Sequence, residues 1–361
     1  MTAHTKMFLE STVTKEQEKQ TEEQRKLQVT GGSTFILSLP KEWATKNELK
    51  RGSSMIVREE DDGSLSISPT SLPKKEKQDE AYIRVAPTDN PDATMRTAIS
   101  AYLNGYSILH IRSQGQKVLS SKTRNHLKHF ARNYLVGTEI VIDTPNELTL
   151  QVLLNYPELT VQNALSRMAI IASSMHKEAM IAIRTLDYSS AKAVIETDRE
   201  VNRFGLYIVR LLKLAVSNQR IVKEIGLGSQ RECLGYRLIA KAVERSADHA
   251  TKIAENTLLL RGQVNGALLQ KVTELSELAN AMFEHSVEAL FKHDFKLAES
   301  VIEKLSSIHK IEKETVLSLP TASVEESVNL RLIIESIRRT AEYAADISEV
   351  VLNLNVESVL G

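Results

Sequence analysis

Between residues 25 and 68 the apolar positions come in short alternating runs: RKLQVT, TFILSL, SMIVRE and SLSIS. Gly31-Gly32, Pro40 and the triplet Asp61-Asp62-Gly63 separate them, so the pattern predicts short strands with a hairpin at the Asp-Asp-Gly turn. Pro40 opens one amphipathic helical turn, KEWATK, where a missing backbone N–H costs no hydrogen bond. Trp43, the only tryptophan, reads as core packing against that turn. Residues 1–24 are polar with balanced charge and read as a disordered arm. Residues 69–80, with two prolines and six charges, read as a linker. From 81 to 155 strands and helices alternate: AYIRV, a helix from about Asp92 to Gly105, YSILHI, a helix from about Gln116 to Tyr134, GTEIVID and ELTLQVLL. This order predicts a small α/β domain. From Leu159 onward the apolar spacing turns helical, with Pro320 the one proline interrupting it, and predicts an all-α half.

That half is a duplication. YRLIAKAVERSADHATKIAENTLLL (236–260) lies over LRLIIESIRRTAEYAADISEVVLNL (330–354) with ten identities in 25 positions, an offset of 94. Upstream, an offset of 107 pairs Asp187 with Asp294, Ala191 with Ala298 and Val194-Ile195-Glu196 with Val301-Ile302-Glu303. The two offsets differ by 13 residues, a deletion from the second copy that fits the loop around 218–232. Each copy is expected to be three helices, residues 159–262 and 263–356.

The chain is 42% hydrophobic and 25% charged with zero formal net charge, which fits a soluble globular protein and leaves any polyanion binding to local charge. One cysteine, Cys233, excludes an intrachain disulfide and fits a reducing cytosol. No run reaches the ~18–20 apolar residues of a membrane helix, so a cytoplasmic protein without membrane insertion is expected. A β unit of this size cannot bury enough apolar surface alone. Val29, Phe35, Leu37, Leu39, Met55 and Val57 are therefore expected to find partners in a second copy, making a homodimer.

Local charge is uneven. Ala93–Thr138 holds no acidic residue, whereas Asn133–Val161 holds four and no Lys or Arg. Arg124, Lys128 and Arg132 fall at i, i+4 and i+8 of one helix, a stripe suited to phosphate groups, nucleic acid or an acidic surface, or else a solvated face paired with the acidic segment. No Gly-rich phosphate loop accompanies it, which disfavours nucleotide hydrolysis. In the first repeat, Glu244 and Asp248 share a helix face, as do Asp198 and Asn202 on the preceding helix. Two such pairs on antiparallel neighbours could converge on a cation, or be ordinary solvated faces.

Residues 25–68, with their Gly pair, LPKEW and ELKRG, resemble the AbrB/SpoVT swapped-hairpin family. That resemblance implies two chains interleaved into one β-barrel that can present basic residues to DNA, here Arg25, Lys26, Lys41, Lys46, Lys50 and Arg51. The duplicated helices with AVERSADHATKIAE are similar to the phosphate-uptake regulator (PhoU) family over about 159–356, and the whole arrangement resembles an archaeal branch of it. The fold expected is multidomain: the swapped-hairpin barrel, the small α/β domain, then all-α tandem three-helix bundles. The resemblance implies metal-binding motifs of the type Glu/Asp-x-x-x-Asp. In repeat 1 these map onto Glu244 and Asp248 with Asp198, Asn202 and Glu178, for iron, zinc or magnesium. In repeat 2 the equivalents are Arg338, Glu342, Leu305, His309 and His285. Either that copy has lost the metal, or His285, His309 and Glu342 form another site. The function implied is a non-enzymatic, DNA-binding regulator of phosphate uptake, sensing a metal or a transporter or signalling partner. The alternative is an adaptor that dimerises through the β unit without binding DNA, and the near-balance of seven Lys/Arg against six Asp/Glu in residues 25–68 leans that way.

Overall fold

Alternation and turn chemistry build the N-terminal unit. In the computed structural model, which describes residues 23–59, 63–70, 80–86, 89–115, 118–154, 158–320 and 324–360, strand β1 (Gln28–Thr30) pairs antiparallel with β2 (Thr34–Ile36). Gly31 and Gly32 turn the chain between them at φ 65° and 85°, angles that side-chain-bearing residues avoid. Pro40 is the N-cap of α1 (Lys41–Lys46), and β3 (Met55–Glu59) pairs antiparallel with β4 (Leu65–Pro69). Residues 1–22 of the expected arm, Asp61 and Asp62 of the hairpin tip, and 71–79 of the expected linker lie outside the described residues.

Within one chain the expected barrel is two separate two-stranded hairpins. Phe35 is 68% exposed and Val29 and Val57 are each 60% exposed, while Leu39 and Met55 are half-buried. Trp43 is half-buried, and no residue of α1 is buried, so the tryptophan is not the core residue expected from sequence.

Contacts divide the chain between Met1–Lys77 and Gln78–Gly361. The second unit opens with a four-stranded sheet of order β5-β6-β8-β7, made of β5 (Glu80–Val85), β6 (Ile108–Ser113), β7 (Thr138–Asp143) and β8 (Glu147–Val152). β5 and β6 run parallel, joined through α2 (Pro91–Leu103); the other pairs are antiparallel. Helix α3 (Ser121–Tyr134) begins five residues later than the sequence pattern predicts, because the Ser120 side chain accepts from the Thr123 N–H and caps it there. Ile83, Val85, Leu109, Ile111, Leu148 and Leu150 point from alternate strand positions into a core shared with Tyr102 and Leu127 of the helices.

The helical repeats follow. Repeat 1 has α4 (Val161–Thr185), α5 (Tyr188–Ser217), the short α6 (Gln219–Glu224) and α7 (Glu232–Thr257). Repeat 2 has α8 (Gly266–Lys292), α9 (Phe295–Glu303), α10 (Leu305–Val316) and α11 (Val324–Leu354). The duplication reaches the backbone. Leu186 and His293, 107 residues apart, both end their helices in the left-handed region at φ 52° and 53°, and Asp187 and Asp294 then cap the next helices. Helix α6 lies where the second copy is shorter. The second helix of repeat 2 is broken at Lys304, unlike the continuous α5. The two repeats share one core, and the third helices approach closely: a Cβ on Gly235 of α7 would lie 3.1 Å from Val350 and Leu354 side-chain atoms of α11.

Arg210 ties the sheet domain to the helices. Only 1% exposed, it leaves α5 and donates from its guanidinium to the carbonyls of Tyr102, Gly105 and Tyr106 at the end of α2 and just beyond it, with its carbon 4.8 Å from the Tyr102 ring centroid. Gly105 has φ 93°, and a Cβ there would lie 2.5 Å from Leu214 of α5, so the closeness of this contact depends on glycine. Arg210→Met is therefore expected to cost about 3 kcal/mol, since it removes three hydrogen bonds from one charged donor at once. Urea unfolding of the full chain measures this, and a loss below about 0.5 kcal/mol would contradict the role.

Candidate functional site

The helical period that made α5 and α7 also sets their acidic residues facing one another. Asp198 and Asn202 are one turn apart on α5, and the Asn202 side-chain N–H donates to Asp198 Oδ2 at 2.6 Å. Asp198 Oδ1 is buried without a partner. On α7, Glu244 accepts from Lys241 Nζ at 2.7 Å, and its other oxygen lies 3.8 Å from where a Cβ on Gly205 of α5 would stand. Burial pushes the Asp198 carboxyl up to about 6, helped by the charges of Asp248 and Glu244 and opposed by the Asn202 hydrogen bond. Asp248 is raised for the same reasons, burial first and then Glu244. Asp198, Glu244 and Asp248 thus occupy one electrostatic neighbourhood across two helices.

Among the described residues no group of three or more His, Cys, Asp or Glu is placed to hold a metal ion. Lys241 holds Glu244, Asn202 holds Asp198, and Glu178 is exposed on α4, accepting from Ser174 Oγ at 2.8 Å. Of the expected ligand set, Asp198, Glu244 and Asp248 act on one another across α5 and α7 with Asn202 bonded to Asp198, while Glu178 is engaged with Ser174. The unpartnered Asp198 oxygen is the one feature that suits a cation.

In repeat 2 the equivalent place is closed by its own charges. Arg338, standing where repeat 1 has Glu244, bonds Glu312 at 2.9 Å and Glu342; Arg339 bonds Glu342 at 2.9 Å, and His309 lies 3.6 Å from it. His285 Nδ1 is buried without a partner. His285, His309 and Glu342 form no three-ligand cluster among the described residues, and Glu342 is taken up by two arginines instead.

The basic stripe on α3 is largely neutralised within the same chain. Lys128 Nζ donates to Asp143 Oδ2 at 2.9 Å, and Arg124 Nε lies 3.1 Å from Oδ1 as a charge contact without hydrogen-bond geometry. The Lys128 hydrogen bond, with the charges of Arg124, Lys128 and Arg132, holds the Asp143 carboxyl below its usual range against the opposing effect of burial. Arg132 has no hydrogen bond or ion pair of its own among the described residues; it lines a cleft with Arg203 of α5 and Thr138, two residues that sequence reasoning did not single out. In the N-terminal unit Arg25, Lys26, Lys41, Lys46, Lys50 and Arg51 are all exposed. They precede β1, stand at the two ends of α1 and form the turn before β3; Arg25 is paired with Glu23.

The raised carboxyl of Asp198 has a consequence for stability. Its folded pKa exceeds the unfolded one, so the unfolded chain ionises first and stability falls as pH rises from about 4 to about 6, then stays reduced. Asp198→Asn should remove this penalty. A gain of about 1 kcal/mol at pH 7.5 is expected, the full pKa difference being discounted for the solvent that screens a half-buried group. The gain should shrink towards zero near pH 4.5. Urea titrations across that range check it, and a pH-independent effect would refute it.

Comparison with known proteins finds family matches for two parts of the chain. The PhoU domain family matches residues 165–257 and again 272–351, and a second family, described as antidote-toxin recognition MazE, bacterial antitoxin, matches residues 28–76. Similar curated proteins include a phosphate-specific transport system accessory protein PhoU homolog of Borreliella burgdorferi, 23% identical over 192 residues, covering 50% of this chain and 84% of that protein. Another of the same description from Aquifex aeolicus is 25% identical over 170 residues, covering 46% of this chain and 73% of that protein. Among solved structures, the phosphate transport system regulatory protein PhoU from Streptococcus pneumoniae has a TM-score of 0.48 at 18% identity, covering 56% of this chain and 96% of its own. PhoU from Pseudomonas aeruginosa has a TM-score of 0.49 at 19% identity, covering 55% and 96%. With one family matched twice in register with the internal duplication, the helical part of the chain belongs to the PhoU domain family, as a tandem pair carried behind a MazE-type segment.

Proposed function

We propose that the protein is a cytoplasmic, non-enzymatic regulator of phosphate uptake that acts as a homodimer and binds operator DNA through its N-terminal units. The observation that carries this reading is the union, in one chain, of a MazE-type segment with a tandem PhoU pair whose relatives are named as accessory proteins of phosphate-specific transport. No helix among the described residues is long and apolar enough to cross a membrane, so contact with a transporter would be made by docking.

Dimerisation rests on exposed apolar surface. Eight large hydrophobic residues between Leu27 and Leu65 are 43% to 68% exposed, on hairpins that two strands apiece leave marginal in water. A second copy pairing with them would supply the missing core, and the doubled basic segments would then face one way across a two-fold axis. The adaptor reading keeps the dimer without DNA; the near-balanced charge of residues 25–68 and the pairing of Arg25 with Glu23 favour it.

Two measurements decide between them. Phe35→Asp is expected to convert a dimer of the full chain into a monomer by light scattering, and an unchanged mass would remove the β unit from the interface. Fluorescence anisotropy with DNA from the protein's own upstream region and from phosphate-transport operons, against random DNA at two salt concentrations, tests the operator. Specific binding about 10³ tighter than random is expected, with Lys41→Ala and Lys50→Ala each weakening it and lowering the salt slope by about 1. Binding no tighter than to random DNA would leave the adaptor.

A further inference from the structure

The cleft between the sheet domain and α5 holds charged side chains and donors that no described residue bonds directly. It has a volume of about 330 Å³, at the small end of ligand pockets, and is lined by Arg132 from the last turn of α3, Gly137, Thr138 and Glu139 at the start of β7, and Arg203 of α5. Arg203 Nε is buried without a partner. Thr138, only 8% exposed, also has a buried, unpartnered Oγ1. A buried donor left without an acceptor costs about 1–3 kcal/mol, so two in one small space call for an acceptor-rich occupant. The local charge agrees. Asp143 answers Arg124 and Lys128 by direct contact, whereas it reaches Arg132 only through space. Two guanidinium groups therefore face the cleft against one exposed carboxylate, Glu139.

The backbone holds this arrangement in place. Gly137 has φ 66°, and a Cβ there would lie 2.2 Å from the Leu154 side chain, so the turn into β7 requires glycine. Its carbonyl accepts from the Leu153 N–H at 2.6 Å, and the Val136 carbonyl accepts from the Tyr102 hydroxyl at 3.2 Å. Thr138 is thereby fixed at the head of β7, paired in register with Val152.

We infer that this cleft binds a single phosphoryl group, as inorganic phosphate or a small phosphate monoester. Guanidinium groups present planar forks of donors that match phosphoryl oxygens, and the threonine hydroxyl adds a third donor from another direction. Glu139 at the cleft limits the charge the site accepts and disfavours a di- or triphosphate. Occupancy would bridge α3 and β7 to α5, reinforcing the joint that Arg210 makes further along the same helix. The inference stands on the cleft alone and is independent of whether the N-terminal unit binds DNA.

Thermal unfolding and calorimetric titration of the full-length protein test it, with inorganic phosphate and adenosine monophosphate as separate probes and chloride at matched ionic strength as the control. A ligand binding only the folded state must raise the unfolding temperature. At least one probe is expected to do so beyond chloride, and which one does so identifies the source of the phosphoryl group. Arg203→Gln should weaken binding at least tenfold, Thr138→Val several-fold, and Thr138→Ser should restore it. If Arg203→Gln fails to fold, the Thr138 pair, which differs in one hydroxyl, decides the matter. No shift with either probe, or equal binding by Thr138→Val and wild type, overturns the proposal.

Discussion

The joint made by Arg210 constrains more of this molecule than any other single contact. A guanidinium carries its charge permanently, and burying it demands acceptors on several sides. Here they come from Tyr102 in the last turn of α2 and from Gly105 and Tyr106 just beyond it. The bonds thus give a buried cation acceptors on several sides and tie α5 to the end of α2 and the turn beyond it. They also dictate what surrounds them: glycine at 105 so that α5 can approach, an aromatic at 102 to lie against the cation, and Lys213 reaching Asn104 at 2.7 Å.

Helix α5 then serves two domains with two faces. Arg203, Leu206, Arg210, Lys213 and Leu214 recur at roughly helical intervals toward the sheet domain. Asp198, Asn202 and Gly205 turn toward α7. Anything that draws Arg203 toward β7 acts on the same rigid rod that carries the acidic residues of repeat 1. The coupling required of a sensor is physically available there, provided the ligand contacts differ between two positions of that rod.

Much of the architecture was legible in the sequence, and the reasons are local. Strand alternation, the Gly pair and Pro40 act over a few residues, so they report β1 to β4 directly. The internal repeat was legible because its 107-residue offset joins Asp187 to Asp294, and both are helix caps in the structure. The site was less legible, because it depends on which helix faces meet. Spacing alone puts Glu178 on a helix; only packing shows that it faces solvent and Ser174. The i+3 relation of Lys241 to Glu244 was present in the sequence, but a motif reading of carboxylates has no place for the lysine that neutralises one of them. Arg203 and Thr138 carried no signal at all: a single arginine on an amphipathic helix and a threonine opening a strand look like ordinary surface and sheet residues until the cleft brings them together.

Comparison of the two repeats shows what the family's helical frame requires and what it leaves free. The left-handed helix ends at Leu186 and His293 and the caps at Asp187 and Asp294 recur, because a core shared by both copies needs both surfaces in register. The polar residues between helices do not recur. Where repeat 1 has the Asp198 carboxyl, raised by burial and with one oxygen unpartnered, repeat 2 has Leu305, and Arg338 in place of Glu244 bridges Glu312 and Glu342. A buried carboxylate that raises its own pKa lowers stability at neutral pH, whereas the arginine network satisfies its members. Duplication thus kept the packing in both copies while an arginine replaced the Glu244 carboxylate in the second. That asymmetry makes repeat 1, which also carries the joint to the sheet domain, the half through which a bound ligand would be felt.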